Sequence, residues 1–107
     1  MDGVVRDRLR LAMRGHVTVS VLIDEAGKPT GGAWAECRGM AEPKRLRDGL
    51  SGAIESDIDR ELLKMKRAAL ADDEEVEDAI TRIVARVCND RIGKKPMVTV
   101  LISRLEP

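Results

Sequence analysis

The chain has 107 residues and a mass of 11.8 kDa, a size that suits one hydrophobic core, so residues 1–107 are expected to form a single domain. Its 19 basic and 19 acidic residues give a formal charge of zero, which argues against a dedicated nucleic-acid-binding module, because such modules carry a basic excess. One tryptophan, with no tyrosine or phenylalanine, supplies too few rings for a platform that stacks single-stranded RNA or DNA.

Taken in chain order, the first half predicts a short helix and a hairpin. Apolar residues at helical spacing predict the helix over 4–14, and Gly15 is suited to end it. Alternation over 16–24 predicts a half-buried strand. Residues 25–32, EAGKPTGG, predict a turn, so a second strand over about 33–38 would pair antiparallel with the first.

The second half predicts two helices and a last strand. The apolar period changes to that of a helix from about Pro43 to Ala71. The acidic run 72–78 has two interpretations: Asp72 or Asp73 caps a second helix that runs to about Arg91, which we favour, or the run binds a cation or a basic partner. Residues 97–105 are apolar on both faces through Ile102, which predicts a central or doubly covered strand.

The predicted element order is α-β-β-α-α-β. The simplest architecture is α+β, a three-stranded sheet packed on one face by two long helices. The order also resembles the bacterial arrangement of the KH fold, which clamps RNA with a G-x-x-G loop. The corresponding junction reads ALADDEE, without glycine and with acids that would repel phosphate, so a KH-like topology would lack the KH binding device.

No catalytic or metal-binding residue is predicted, and no cofactor. His16 is the only histidine, lies at a strand start and is interpreted as a strand-end residue. Cys37 and Cys88 lie far apart in apolar segments without zinc-site spacing, which favours reduced core thiols over the alternative of a disulfide. No apolar run approaches the ~20 residues that cross a bilayer and no signal peptide opens the chain, so we expect a cytoplasmic location and no membrane partner.

Two groups of side chains are candidates for interactions. The apolar last strand predicts an association strand, because its second face requires cover; its residues are Met97, Val98, Val100 and Ile102. Basic residues are candidates for steering RNA, with ordinary solvated surface charge as the alternative interpretation. They are Arg6, Arg8, Arg10, Arg14, Lys94 and Lys95.

Several short motifs follow one another in order over residues 4–105. They are Val5-Arg6-Asp7-Arg8 through Leu11, Gly15 with the strand 17–24, Arg38-Gly39, and Lys94-Lys95-Pro96-Met97-Val98. In order and spacing, this set resembles the C-terminal domain of bacterial ribonuclease J. The chain departs from that pattern at Met40, where an aromatic residue is expected, and at Val100, where the family often has proline.

The resemblance implies that the chain is the non-catalytic C-terminal part of a metal-dependent 5′-to-3′ exo- and endoribonuclease. The two metal ions, zinc by the resemblance, would lie in a metallo-β-lactamase domain with an inserted β-CASP domain, and this chain has none of its His-rich motif. The implied partners are the remaining domains of the parent enzyme, further copies of the chain, and RNA through the full-length enzyme. The domain would support oligomerisation or partner docking; guidance of RNA by the basic residues is the alternative.

Overall fold

The computed structural model describes residues 15–39 and 49–105. The strands in this part form one sheet in the order β2-β1-β3, in which β1 is antiparallel to β2 and parallel to β3. Two long helices pack on one face of the sheet, which confirms the predicted α+β architecture. The elements are β1 (His16–Ile23), β2 (Pro29–Arg38), α1 (Gly49–Lys64), α2 (Arg67–Leu70), α3 (Asp73–Ile92) and β3 (Met97–Arg104).

The core lies between the helices and the inward face of β1. Every second residue of this strand is buried, as its alternating sequence predicts. Full burial of one such aliphatic side chain contributes about 1.5–3 kcal/mol, so this face is a main source of stability. The fully or almost fully buried side chains that share this core include Val17, Val19, Ile23, Leu50, Ile54, Ile58, Leu62, Val76, Ile80, Val84 and Cys88.

Side-chain and backbone caps fix both ends of α3. The Asp72 Oδ1 atom accepts hydrogen bonds from the backbone N–H groups of Glu74 and Glu75, at 3.0 and 3.4 Å. Gly93 ends the helix in the left-handed conformation, with φ of 64°, and its N–H donates to the Asn89 carbonyl. The acidic run 72–78 therefore starts this helix. Of the two predicted caps, Asp72 and Asp73, it is Asp72 that caps the helix.

Arg104 joins the end of β3 to the start of α3. Its Nη2 donates to the Leu70 carbonyl at 2.7 Å and to Asp73 Oδ1 at 2.6 Å, while its Nε donates to the same Asp73 oxygen at 2.9 Å. Since the next residues after α3 lead directly into β3, these contacts show that α3 and β3 run antiparallel and side by side.

The outer edge of β2 is closed by carboxylates of α1. The Ala33 N–H donates to Asp59 Oδ1 at 2.7 Å, and the Ala35 N–H donates to Glu55 Oε2 at 2.8 Å. Outward N–H groups on an edge strand can pair with another chain unless they are satisfied in some other way. Here two helix side chains take the place of a further strand.

The predicted turn over 25–32 is wrong in its second half, because β2 already begins at Pro29. The register passes from Ser20↔Trp34 to Leu22↔Thr30, so β2 bulges with two extra residues opposite β1. Gly31 and Gly32 have φ of 74° and 76°, a conformation that glycine adopts without a steric penalty. The sequence signature of a turn here reflects a bulge within a strand.

The single helix predicted over 43–71 is also wrong at its C-terminal end. The helix α1 ends at Lys64, and Lys66 is extended, with ψ of 154°, before the short α2 begins. The apolar stripe continues through Met65 and Ala69, so periodicity could not reveal the break. Residues 43–48 and the helix predicted over 4–14 lie outside the described residues.

The last strand is predicted to be central or doubly covered, but it forms an edge of the sheet. Its residues alternate: Val98, Val100 and Ile102 are half-buried against the core, whereas Met97 and Leu101 are exposed on the opposite face. The strand is apolar on both sides because its uncovered face also carries apolar side chains. Apolarity was therefore a poor guide to burial here.

We expect replacement of either edge-capping carboxylate by alanine to lower the free energy of unfolding by about 1–3 kcal/mol, because each replacement leaves a strand N–H without its charged acceptor. Urea denaturation of Asp59→Ala and Glu55→Ala measures this decrease. Asp57→Ala is the matched control on the same helix, since its exposed ion pairs with Arg60 and Arg86 are worth less than about 1 kcal/mol. Equal decreases in all three variants would contradict the capping role.

Candidate interaction surface

The sheet face opposite α1 and α3 carries no cover from the described residues. Strand alternation and register place side chains from all three strands there in four rows across the sheet. The rows, each read from β2 through β1 to β3, are Arg38–His16–Met97, Glu36–Thr18–Thr99, Trp34–Ser20–Leu101 and Thr30–Leu22–Ser103.

In the third row, a small residue separates two exposed apolar side chains. Trp34 is 66% exposed and Leu101 is 52% exposed, and they lie on opposite sides of the small residue Ser20. Because neighbouring strands are about 4.8 Å apart, the backbones that carry the two large side chains are separated by about 10 Å. This arrangement can hold an apolar side chain or the edge of another protein.

Polar contacts hold the end of this face near the start of β1. The His16 Nε2 atom lies 2.7 Å from Thr99 Oγ1, in a hydrogen bond that links β1 to β3. On β2, Arg38 forms an ion pair with Glu36 at 2.8 Å. His16 is therefore a strand-end residue engaged in a cross-strand contact, which agrees with its interpretation from the sequence.

Exposed large apolar side chains are concentrated on the β3 side of this surface. Among the described residues, Met97 is 46% exposed, Leu101 52% and Leu105, which directly follows the strand, 46%. The predicted association residues divide between two faces: Met97 is on the open face, while Val98, Val100 and Ile102 point towards the helices. Sequence reasoning missed Trp34 and Leu101, although alternation from Met97 would have placed Leu101 beside it.

The basic residues proposed to steer RNA are only partly placed by the structure. Lys94 and Lys95 lie in the connection between α3 and β3, next to Arg91 in the last turn of α3. The acidic residues of 72–78 lie at the other end of this 20-residue helix, about 30 Å away. Arg6, Arg8, Arg10 and Arg14 lie outside the described residues.

The two cysteines do not form a disulfide, as favoured from the sequence, but only Cys88 is buried and Cys37 is half-buried. Burial, with a smaller contribution from Cys37, raises the pKa of the Cys88 thiol to about 11, so this side chain stays protonated in the core at neutral pH. The Ser51 hydroxyl donates to Cys37 Sγ at 3.5 Å. These contacts assign the two thiols to packing between β2, α1 and α3.

The described residues offer no set of side chains for a metal ion. Within 15–39 and 49–105, no three His, Cys, Asp or Glu residues are grouped closely enough to hold one. None of the helices described is long and apolar enough to span a membrane.

Comparison with known proteins identifies the family. The sequence model described as the ribonuclease J C-terminal domain matches residues 3–105. A ribonuclease J from Sinorhizobium meliloti (strain Sm2011 / Rm2011 / 2011) is 32% identical over 109 residues, which covers 94% of this chain. The chain spans 18% of the length of that relative. It therefore belongs to the ribonuclease J C-terminal domain family.

Proposed function

We propose that this chain is the non-catalytic C-terminal domain of a ribonuclease J-like enzyme and that it mediates self-association through the β3 side of its sheet. The parent would be a cytoplasmic hydrolase that degrades and processes RNA as a 5′-to-3′ exo- and endoribonuclease. Its metal ions would be held by other domains, so this domain would contribute assembly and no catalytic residue. The name and coverage of the bacterial relative support the parentage.

The observation that carries the assembly role is the position of the exposed apolar residues. Met97, Leu101 and Leu105 lie along one strand and its end, and Trp34 shares their face of the sheet. Single exposed apolar residues are ordinary, but several of them on one face of a sheet support an interaction site. Exposed residues on an edge strand favour contact with another folded surface, and docking onto other domains of the parent is the competing outcome.

We expect Leu101→Thr to weaken self-association roughly 30-fold. The change keeps a strand-forming residue but removes about 1 kcal/mol of apolar burial from each copy, and so about 2 kcal/mol from a symmetric dimer. Sedimentation equilibrium over a wide range of protein concentration measures the dissociation constant.

The matched control is Leu63→Gln, which removes a leucine that is 76% exposed on α1 and does not belong to β3. It should leave the dissociation constant unchanged. A wild-type chain that remains monomeric at the highest concentration would rule out self-association, and docking to other domains of the parent would take its place.

Guidance of RNA is a second candidate function, supported by the basic end formed by Arg91, Lys94 and Lys95. Phosphate groups would approach this end rather than the acidic start of α3. The alternative is that these cations serve only to balance the negative C-terminal end of the helix dipole.

We expect Lys94→Ala combined with Lys95→Ala to weaken binding of single-stranded RNA if these side chains bind phosphate. The slope of log K against log salt concentration should then become shallower by about 0.7 for each lysine that pairs with a phosphate, or by about 1.4 for both. Fluorescence anisotropy at several salt concentrations measures both quantities. Arg60→Ala combined with Lys64→Ala, on α1, is the control of equal charge, and an equal effect from this pair would contradict a specific basic end.

A further inference from the structure

The two outer edges of the sheet differ in how their backbone groups are satisfied. On β2, the N–H groups of Ala33 and Ala35 donate to carboxylates of α1. On β3, no described residue supplies an equivalent acceptor. An uncapped edge strand is a template for pairing with another strand, and folded proteins usually protect such an edge. This difference between the two edges therefore identifies β3 as the edge whose backbone groups can pair with a partner strand.

The hydrogen bonds at the two ends of β3 show which groups face outwards. The Met97 N–H donates to the Gly15 carbonyl at 3.0 Å, and the Leu105 N–H donates to the Ile23 carbonyl at 2.8 Å. In a parallel ladder, alternate residues of a strand direct both N–H and C=O to the same neighbour. Odd-numbered residues of β3 thus face β1, and the even-numbered ones direct both groups away from the sheet. The outward-facing residues are Val98, Val100 and Ile102.

The sequence and register of β3 show none of the features that normally prevent strand pairing. From Met97 to Ser103 there is no proline, no charged residue and no break in the register with β1. The one charge on the strand, Arg104, is already engaged with Asp73 and the Leu70 carbonyl. Among residues 15–39 and 49–105, nothing therefore obstructs the row of donors and acceptors on this strand.

We propose that β3 pairs antiparallel with β3 of a second copy and so joins two three-stranded sheets into one sheet of six strands. This inference rests on the proposed self-association and specifies its geometry. The two-fold axis would pass at Val100, which would then face its own counterpart, and Val98 of each copy would face Ile102 of the other. The half-buried side chains of these residues would continue the core from one copy into the next, and on the open face Leu101 of each copy would lie beside Thr99 of the other.

The distribution of charge favours a second copy over an unrelated strand. The contact between Arg104 and Asp73 places the acidic start of α3 beside the end of β3, whereas Lys94 and Lys95 precede the start of β3. An antiparallel pair brings the acidic end of one copy to the basic end of the other, and the two-fold axis repeats this match. The edge is therefore complementary to itself in charge as well as in hydrogen bonding.

The variant Val100→Pro tests the pairing directly. Proline at an outward-facing position removes the outward N–H without removing a hydrogen bond to β1, and edge strands tolerate it. Val100→Thr is the matched control, because it keeps the N–H and the branched shape. Under light scattering at a concentration where the wild type is dimeric, Val100→Thr should stay dimeric and Val100→Pro should be monomeric with unchanged circular dichroism.

Amide hydrogen exchange of the wild type gives an independent answer if Val100→Pro fails to fold. The Val98, Val100 and Ile102 amides should be protected in concentrated protein and become unprotected on dilution, while Thr99 and Leu101 stay protected throughout. A folded Val100→Pro dimer, or outward amides that exchange freely in the wild-type dimer, would overturn edge pairing and leave self-association intact. A wild-type chain that is monomeric at every concentration would overturn both proposals.

Discussion

The structure depends on β1, which is the central strand of the sheet and lines the core with its inward face. It pairs antiparallel with β2 on one side and parallel with β3 on the other, so both outer strands take their register from it. Its inward valines and isoleucine meet the apolar stripes of α1 and α3, which fixes the distance of the helix layer from the sheet. A polar residue at Val17 or Val19 would therefore disturb the helices and both strand pairings at once.

The sequence predicted the elements whose local pattern agrees with their surroundings. Strict alternation identified β1, and the acids at 72–78 with Gly93 located both ends of α3. Prediction failed where tertiary contacts override the local pattern: glycines that signal a turn lie in a bulge of β2, and the apolar stripe of α1 continues through a helix break at Lys66. For the candidate surface, apolarity identified β3 correctly but could not reveal which of its faces the helices cover.

Although the net charge of the chain is zero, several of its acidic residues have specific structural roles. Asp59 and Glu55 satisfy the edge of β2, Asp72 caps α3, and Asp73 holds Arg104. These carboxylates act as hydrogen-bond acceptors for the fold, and Lys94 and Lys95 lie in the connection between α3 and β3. The charge balance of the whole chain therefore says little about which of its surfaces could attract a polyanion.

The parallel pairing of β1 with β3 also has a kinetic consequence. His16 pairs with Met97 and Ile23 with Arg104, so each pairing closes a loop that contains both long helices. Pairings between residues so distant in the chain slow folding, because the entropic cost of loop closure comes before the stabilising interactions form. During synthesis, β1 and β2 emerge well before residues 97–104. The nascent domain would then hold an incomplete sheet with one side of β1 open until the last strand leaves the ribosome.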